Sequence, residues 1–216
     1  MAKTYGQFCG LARALDHVGD RWTLLVVREL LLGDASYGEL RAALDGIPTN
    51  LLADRLRDLE RDGLVTRDTG HPDRRRVTYR LTPLGRGLEP AILALISWGS
   101  HWMLPGPGND RFDPRWGVLA LRALLGERDP PVRGTLELRT EAPPLEVVST
   151  GDGPLQVGPR VGDGSTGAST PPDAVVRGDT VLLLGLVSGR LSLSAALRRG
   201  VGIEGDRALV RALLLP

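Results

Sequence analysis

Thr49 and Asn50 open a stretch in which Leu52, Leu56 and Leu59 recur at helical spacing, so that Asn50, Asp54, Arg55, Arg57, Asp58 and Arg61 are left for solvent or a partner. Short polar side chains at the head of such a helix can donate to and accept from base edges or phosphates, and asparagine suits adenine in particular. Thr49 serving only as a helix cap is the plainer alternative. Arg55 follows Asn50 by roughly one turn and is expected, with Asp54, to face the same partner, whereas Arg57 is expected to pair with Asp54 or Asp58 in surface ion pairs of little energetic worth. Arg74, Arg75 and Arg76 stand together in a polar segment that also holds Gly70 and Pro72. At the tip of a hairpin they would supply phosphate or minor-groove contacts, which give affinity with strong salt dependence and limited sequence choice. Side chains alternate along a hairpin, so the three cannot all point one way. A solvated charge run is the alternative. Ser36 and Tyr37 open a supporting helix and could touch a phosphate as well as cap it.

Other chemistry is sparse. Cys9 is the single cysteine, which rules out an internal disulfide framework; it is a candidate redox switch through an intermolecular disulfide, although a lone cysteine is more often a small packed residue. His17, His71 and His101 are scattered, no Cys/His group has ligand spacing and no Gly-rich phosphate loop is present, so no metal, nucleotide or other cofactor is expected. No nucleophile or acid/base pair suggests catalysis, and the chain is expected not to be an enzyme. A net charge of +1 gives little general attraction for nucleic acid, so affinity must come from local placement. The composition, 42% hydrophobic and 25% charged, is that of a globular protein with buried cores. No apolar run reaches the roughly 18 to 20 residues of a membrane span, and Met1-Ala2-Lys3-Thr4 lacks a signal layout, so a cytoplasmic location without membrane contact is expected.

The elements that position these residues follow from periodicity and punctuation. Leu11, Ala12, Leu15 and Val18 make a short amphipathic helix from Phe8, expected to pack on a partner. Asp20 is expected to cap a second helix carrying Trp22, Leu25, Val26, Glu29 and Leu30 and ending at Gly33. Ser36 and Glu39 have capping-box spacing for a third, and the turn 45–48 leads into the helix 49–62. Leu64 to Arg67 and Val77 to Leu81 are strand-like, with 68–76 as the wing between them. Thr82-Pro83 opens a long helix to about Met103, about 30 Å at ~1.5 Å per residue, whose broad apolar stripe points to a twofold interface through Leu88, Leu95, Trp98 and Trp102 together with Phe8 and Leu11. Trp98 and Trp102 could instead line an effector crevice.

After a linker at 105–113, a helix from Pro114 to Gly126 and strands at 135–139 and 145–148 suggest an antiparallel sheet. A Gly/Ser/Thr/Pro-rich loop runs from Gly158 to Pro172; then come a strand at 173–177, a helix capped by Asp179, a short helix at 191–199, a strand at 201–204 and a helix at 206–215. Trp116, Leu119, Leu136, Leu138, Leu182 and Leu186 are candidate linings of an apolar pocket, with ordinary core as the equal alternative. The fold class is α+β: a winged helix-turn-helix domain with a long dimerisation helix at 1–104, and a second α+β domain at 114–216.

Residues 1–104 resemble the HxlR family of winged-helix transcriptional regulators, relatives of the MarR regulators. The resemblance is carried by Phe8-Cys9, Ala12-Arg13-Ala14-Leu15, Gly19-Asp20-Arg21-Trp22-Thr23, Arg28-Glu29-Leu30, Arg55-Leu56-Arg57-Asp58-Leu59-Glu60, Asp62-Gly63-Leu64-Val65 and Tyr79-Arg80-Leu81-Thr82-Pro83-Leu84-Gly85. It implies a homodimer whose terminal helices cross and whose third helices enter the DNA major groove, and some members use a cysteine as a redox switch. Pro48-Thr49-Asn50 stands where the family commonly has Ser-Pro-Lys, which changes the bases that can be read, and Cys9-Gly10 stands where it has Cys-Pro. The C-terminal half is similar to the sterol-carrier-protein fold through Pro172-Asp173-Ala174-Val175-Val176-Arg177-Gly178-Asp179, Gly189-Arg190-Leu191-Ser192 and Ile203-Glu204-Gly205-Asp206, which implies an apolar tunnel for hydrophobic molecules. Together these imply a regulator that binds double-stranded DNA as a homodimer on an inverted repeat under control of a hydrophobic small molecule. The alternative is a carrier or sensor of lipophilic molecules whose winged part docks protein.

Overall fold

Residues 4–68, 77–103, 108–159 and 171–215 are described by the computed structural model. The chain divides into two units, Met1–Ile92 and Leu93–Pro216.

The first unit begins with α1, Gly10–Val18, and α2, Thr23–Leu32. Asp20 does not cap α2. The helix starts three residues later with no side-chain cap, its first turn closed by the Thr23 amide donating to the Asp20 carbonyl at 3.1 Å, because the Asp20 carboxylate is turned to a different partner. Gly33 ends α2 at φ 154° and ψ 167°, a region a side chain would strain. A two-residue strand β1, Ala35–Ser36, which periodicity is too short to reveal, then leads directly into α3, Tyr37–Ala43. The capping box is complete: Ser36 Oγ accepts from the Glu39 amide at 3.3 Å and Glu39 Oε2 accepts from the Ser36 amide at 2.7 Å.

Helix α4, Thr49–Arg61, buries Leu52, Leu56 and Leu59, and Val26, Val27 and Leu30 of α2 and Leu40 of α3 are buried in the same unit. Gly63 closes it at φ 71°, and β2, Val65–Asp68, pairs antiparallel with β3, Thr78–Leu81, in the register Val65↔Leu81 to Asp68↔Thr78. With β1 on the other side of β3 the sheet has three strands in the order β1-β3-β2.

The long helix is interrupted. Thr82 caps α5, Pro83–Arg86, as its Pro-at-N1 signature predicts, but the chain then turns at Gly87 and Leu88 before α6, Glu89–Gly99, and a 3-10 turn, Ser100–Trp102. Two local causes suffice. Gly85 and Gly87 are poor helix formers, and Pro90 has no amide to bond back to Arg86, so the helix resets with proline in its new first turn. The α6 segment of 11 residues is about 16 Å long at ~1.5 Å per residue, half of what the apolar stripe predicts for 83–103.

In the second unit, α7, Pro114–Gly126, is capped by the Asp113 carboxylate. Strands β4 (Arg133–Arg139), β5 (Leu145–Thr150) and β6 (Gln156–Pro159) run as a meander; β7 (Ala174–Arg177), α8 (Thr180–Val187), α9 (Leu193–Arg198), β8 (Gly202–Gly205) and α10 (Arg207–Leu214) follow. The sheet order is β6-β5-β4-β7-β8, and it is mixed rather than antiparallel, because β7 lies parallel to β4. Asp179, Ser192 and Asp206 cap α8, α9 and α10 through their side chains.

Register places Leu136 beside Val147 and Ala174, and Leu138 beside Leu145 and Val176, on one buried face. The opposite face carries Glu137 with Arg139 and Arg177 with Glu204, so helices cover one side of the sheet and ion pairs dress the other. Leu136, Leu138 and Leu186 belong to this core with Leu182 packed against it, Leu119 is buried and Trp116 is half-buried. No helix among the described residues is long and apolar enough to cross a membrane.

Candidate nucleic-acid interface

The inward leucines of α4 decide what its other side presents. At about 100° per residue, Asn50, Asp54, Arg57 and Arg61 fall in one line opposite Leu52, Leu56 and Leu59. Thr49 is the first helical residue, the cap position being Pro48 with no side-chain bond, so the Thr49 hydroxyl is not spent on capping. Thr49 and Asn50 are exposed. Along the outward line Arg57 pairs with Asp54, and Arg61 donates to Asp58 at 2.8 Å and to Asp62 at 2.9 Å.

Three contacts fasten α4 to its neighbours along its length. At its start the Tyr37 hydroxyl of α3 donates to the Thr49 carbonyl at 2.7 Å. In the middle Arg55 Nη1 closes on Asp20 Oδ2 in the turn before α2 and lies 3.4 Å from Asp58. At its end His17 Nδ1 of α1 meets Asp62 Oδ2 at 2.8 Å. Tyr37 therefore has a positional role that capping patterns did not reveal, and Arg55 is directed away from the outward line. His17 carried no signal in the sequence, since its partner is 45 residues distant.

Burial works against ionisation of Asp62, but its hydrogen bonds to His17 and Arg61 outweigh it and hold the carboxyl below the ordinary 3.8. A depressed carboxyl contributes stability that is fully present above its unfolded-state value and is lost as pH falls through the folded-state value. The Asp62→Asn variant should therefore lose less stability than the parent on acidification from about pH 4 downward. Parallel acid titrations followed by circular dichroism would show the two curves converging, and curves that stay parallel would remove Asp62 from the acid limb.

At the base of the wing Arg80 Nη2 bridges Asp34 at 2.7 Å and Asp68 at 3.2 Å, joining both hairpin strands to the end of α2. The wing cations Arg74, Arg75 and Arg76 lie outside the described residues. Ser36 is engaged in its capping box. Phe8 and Leu11 on the α1 side, and Leu95, Trp98 and Trp102 from α6 onward, are exposed, and Leu88 is half-buried. Trp98 and Trp102 pack edge to face at 4.6 Å while each stays about two-thirds exposed, at 64% and 67%. Cys9 is exposed at the cap of α1, and the Ala12 and Leu11 amides hold its thiol below its ordinary value against a smaller effect of burial. Among the described residues no three His, Cys, Asp or Glu side chains are grouped to hold a metal ion.

Residues 17–106, which include α4 and the hairpin, match the family model for the HxlR-like helix-turn-helix. An uncharacterized HTH-type transcriptional regulator of Synechocystis sp. is 38% identical over 98 residues, covering 45% of this chain and 73% of that protein. The chain belongs to the HxlR-like helix-turn-helix family. An uncharacterized HTH-type regulator of Mycobacterium tuberculosis is 45% identical over 97 residues, which cover 45% of this chain and 60% of that one. Among solved structures, the reduced form of the regulator YodB from B. subtilis is 27% identical, with a TM-score of 0.39 over 46% of this chain and 99% of that chain. The HxlR-like part is thus the first half, and the relatives carry the names of transcriptional regulators rather than enzymes.

Proposed function

We propose that this HxlR-like chain is a DNA-binding transcriptional regulator that acts as a homodimer on an inverted-repeat operator. The observation that carries the reading is the outward line of α4, a polar and charged row opposite a leucine face on a helix tied down at both ends. Such a helix can enter a major groove without deforming. On this reading Asn50 contacts an adenine edge and Asp54 the amino group of cytosine, while Thr49, Ser36 and Tyr37 contact flanking phosphates. Arg74, Arg75 and Arg76 of the wing supply sequence-independent phosphate contacts.

The exposed row of Leu95, Trp98 and Trp102 and, separately, the exposed Phe8 and Leu11 support pairing of two copies, and paired readers call for half-sites spaced about 10 base pairs apart. Cys9 at the head of α1 is the candidate for an intermolecular disulfide between the copies. The units divide between Ile92 and Leu93; on the present reading the functional domains are 1–104 and 114–216 about a linker at 105–113. For the second domain we propose a sterol-carrier-like fold that binds a hydrophobic effector, supported by its one-sided apolar core under α7, α8 and α10; native mass spectrometry with a retained apolar molecule is its test. A cytoplasmic location completes the reading.

The deciding experiment is a footprint on the chain's own upstream DNA with a salt series. Changing Arg74→Ala together with Arg75→Ala should weaken binding to every sequence and lower the slope of log K against log salt by about 2, at roughly 0.9 per phosphate contact. Asn50→Ala should instead alter base preference at one position per half-site. An unchanged slope in the wing variant removes the wing assignment, and absence of any protected region removes the DNA reading.

A further inference from the structure

Resting on the DNA reading above, we infer that Arg55 is a positioning residue, an ionic clamp that sets the angle of α4 against the turn before α2, and that the cations α4 offers to DNA are Arg57 and Arg61. Five residues of helix carry Arg55 about 140° round the axis from Asn50, whereas Arg57 and Arg61 each fall within about 20° of it. Exposure separates them in the same way: the Arg55 side chain is 20% exposed, against 72% for Arg57 and 59% for Arg61.

The surroundings of Arg55 are those of a structural tie. Its guanidinium lies between Asp20 and Asp58 with Nε buried, and the pair with Asp20 joins α4 to a residue 35 positions away rather than to its own helix. The backbone leading to Asp20 is constrained although its carboxylate is exposed. A Cβ on the preceding Gly19 would come within 2.5 Å of the Leu15 carbonyl oxygen, so the chain leaves α1 by one tight path that fixes where Asp20 stands. Arg57 is held only by the exposed Asp54 of its own helix, while Arg61 pairs with the partly exposed Asp58 and with the mostly buried Asp62 at the helix end. The exposed pairs are weak and a phosphate can displace them, and Arg61 keeps its outward exposure beside Asp62.

The test uses the full chain and a long mixed-sequence duplex, with affinity measured across a salt series and helix stability followed by thermal denaturation. Arg57→Ala should lower the slope of log K against log salt by about 0.9. Arg55→Ala should reduce affinity about tenfold at every salt concentration with the slope unchanged, and Asp20→Asn should match it without adding to it in the double variant. Reversing the clamp, Arg55→Asp with Asp20→Arg, should recover most of the affinity lost in Arg55→Asp alone. A slope lowered by Arg55→Ala but not by Arg57→Ala, or a reversed pair that recovers nothing, overturns the assignment while leaving the DNA reading intact. A parent chain that does not hold the duplex even at low salt overturns both.

Discussion

Replacing Gly85 by alanine should cost the first unit about 3 kcal/mol or more, because a Cβ there would stand 2.0 Å from the Leu64 carbonyl oxygen and 3.0 Å from its carbon. The neighbour is backbone and cannot rotate away. That same carbonyl accepts the Thr82 amide at 3.0 Å, and the Thr82 hydroxyl donates to the Gly63 carbonyl at 2.6 Å, so the start of α5 is seated on the turn between α4 and β2. Moving it would open the Val65↔Leu81 pair at the base of the wing. DNA affinity should fall with stability, since helix and wing would lose their common support. Gly87→Ala is the control: its Cβ would meet only the Leu84 carbonyl at 3.0 Å and Pro83 at 3.8 Å, so less than about 1 kcal/mol is expected. Urea unfolding of the two variants gives the comparison, and equal midpoints would show that the Gly85 contact is not what holds the two segments together.

The second large effect is expected at Arg128. This half-buried side chain donates from Nη1 to the Leu213 carbonyl at 3.2 Å and from Nη2 to the Val187 carbonyl, while its own carbonyl accepts the Leu155 amide at 2.8 Å. Val187 is the last residue of α8, and Leu213 is next to last in α10. One guanidinium thus satisfies free carbonyls at two helix ends, where the backbone dipoles favour a cation. Burial holds its pKa below the usual arginine value, the sign of a charge taken from water and compensated by these carbonyls. Arg128→Met keeps the aliphatic stem, loses both bonds and should destabilise the second unit by about 2–4 kcal/mol. Arg128→Lys should restore only part, since a compact ammonium lacks the fork that spans two acceptors. Hydrogen exchange at the last turns of α8 and α10 would report the loss locally; unaltered exchange there in Arg128→Met would mean the carbonyls find other donors.

Local rules were the most legible. The Ser36–Glu39 box and the Asp179 cap form as their spacing predicts, because a cap joins atoms two or three residues apart and owes little to the rest of the fold. The Leu52, Leu56 and Leu59 stripe likewise specified which side of α4 is inward. Asp20 shows where such reasoning stops. It has the chemistry of a cap, yet an arginine 35 residues away claims its carboxylate, and no local pattern records that competition.

Short-range spacing was enough for most of the helices and strands, several of their caps and the family to which the first half belongs; β1, β6 and the break between α5 and α6 escaped it. Long-range packing, by contrast, brought Arg55 against Asp20, tied His17 of α1 to the end of α4 and set β7 parallel to β4. Each of these depends on which distant segment arrives beside a residue, and that is settled by burial of the whole apolar surface rather than by any neighbour in the chain.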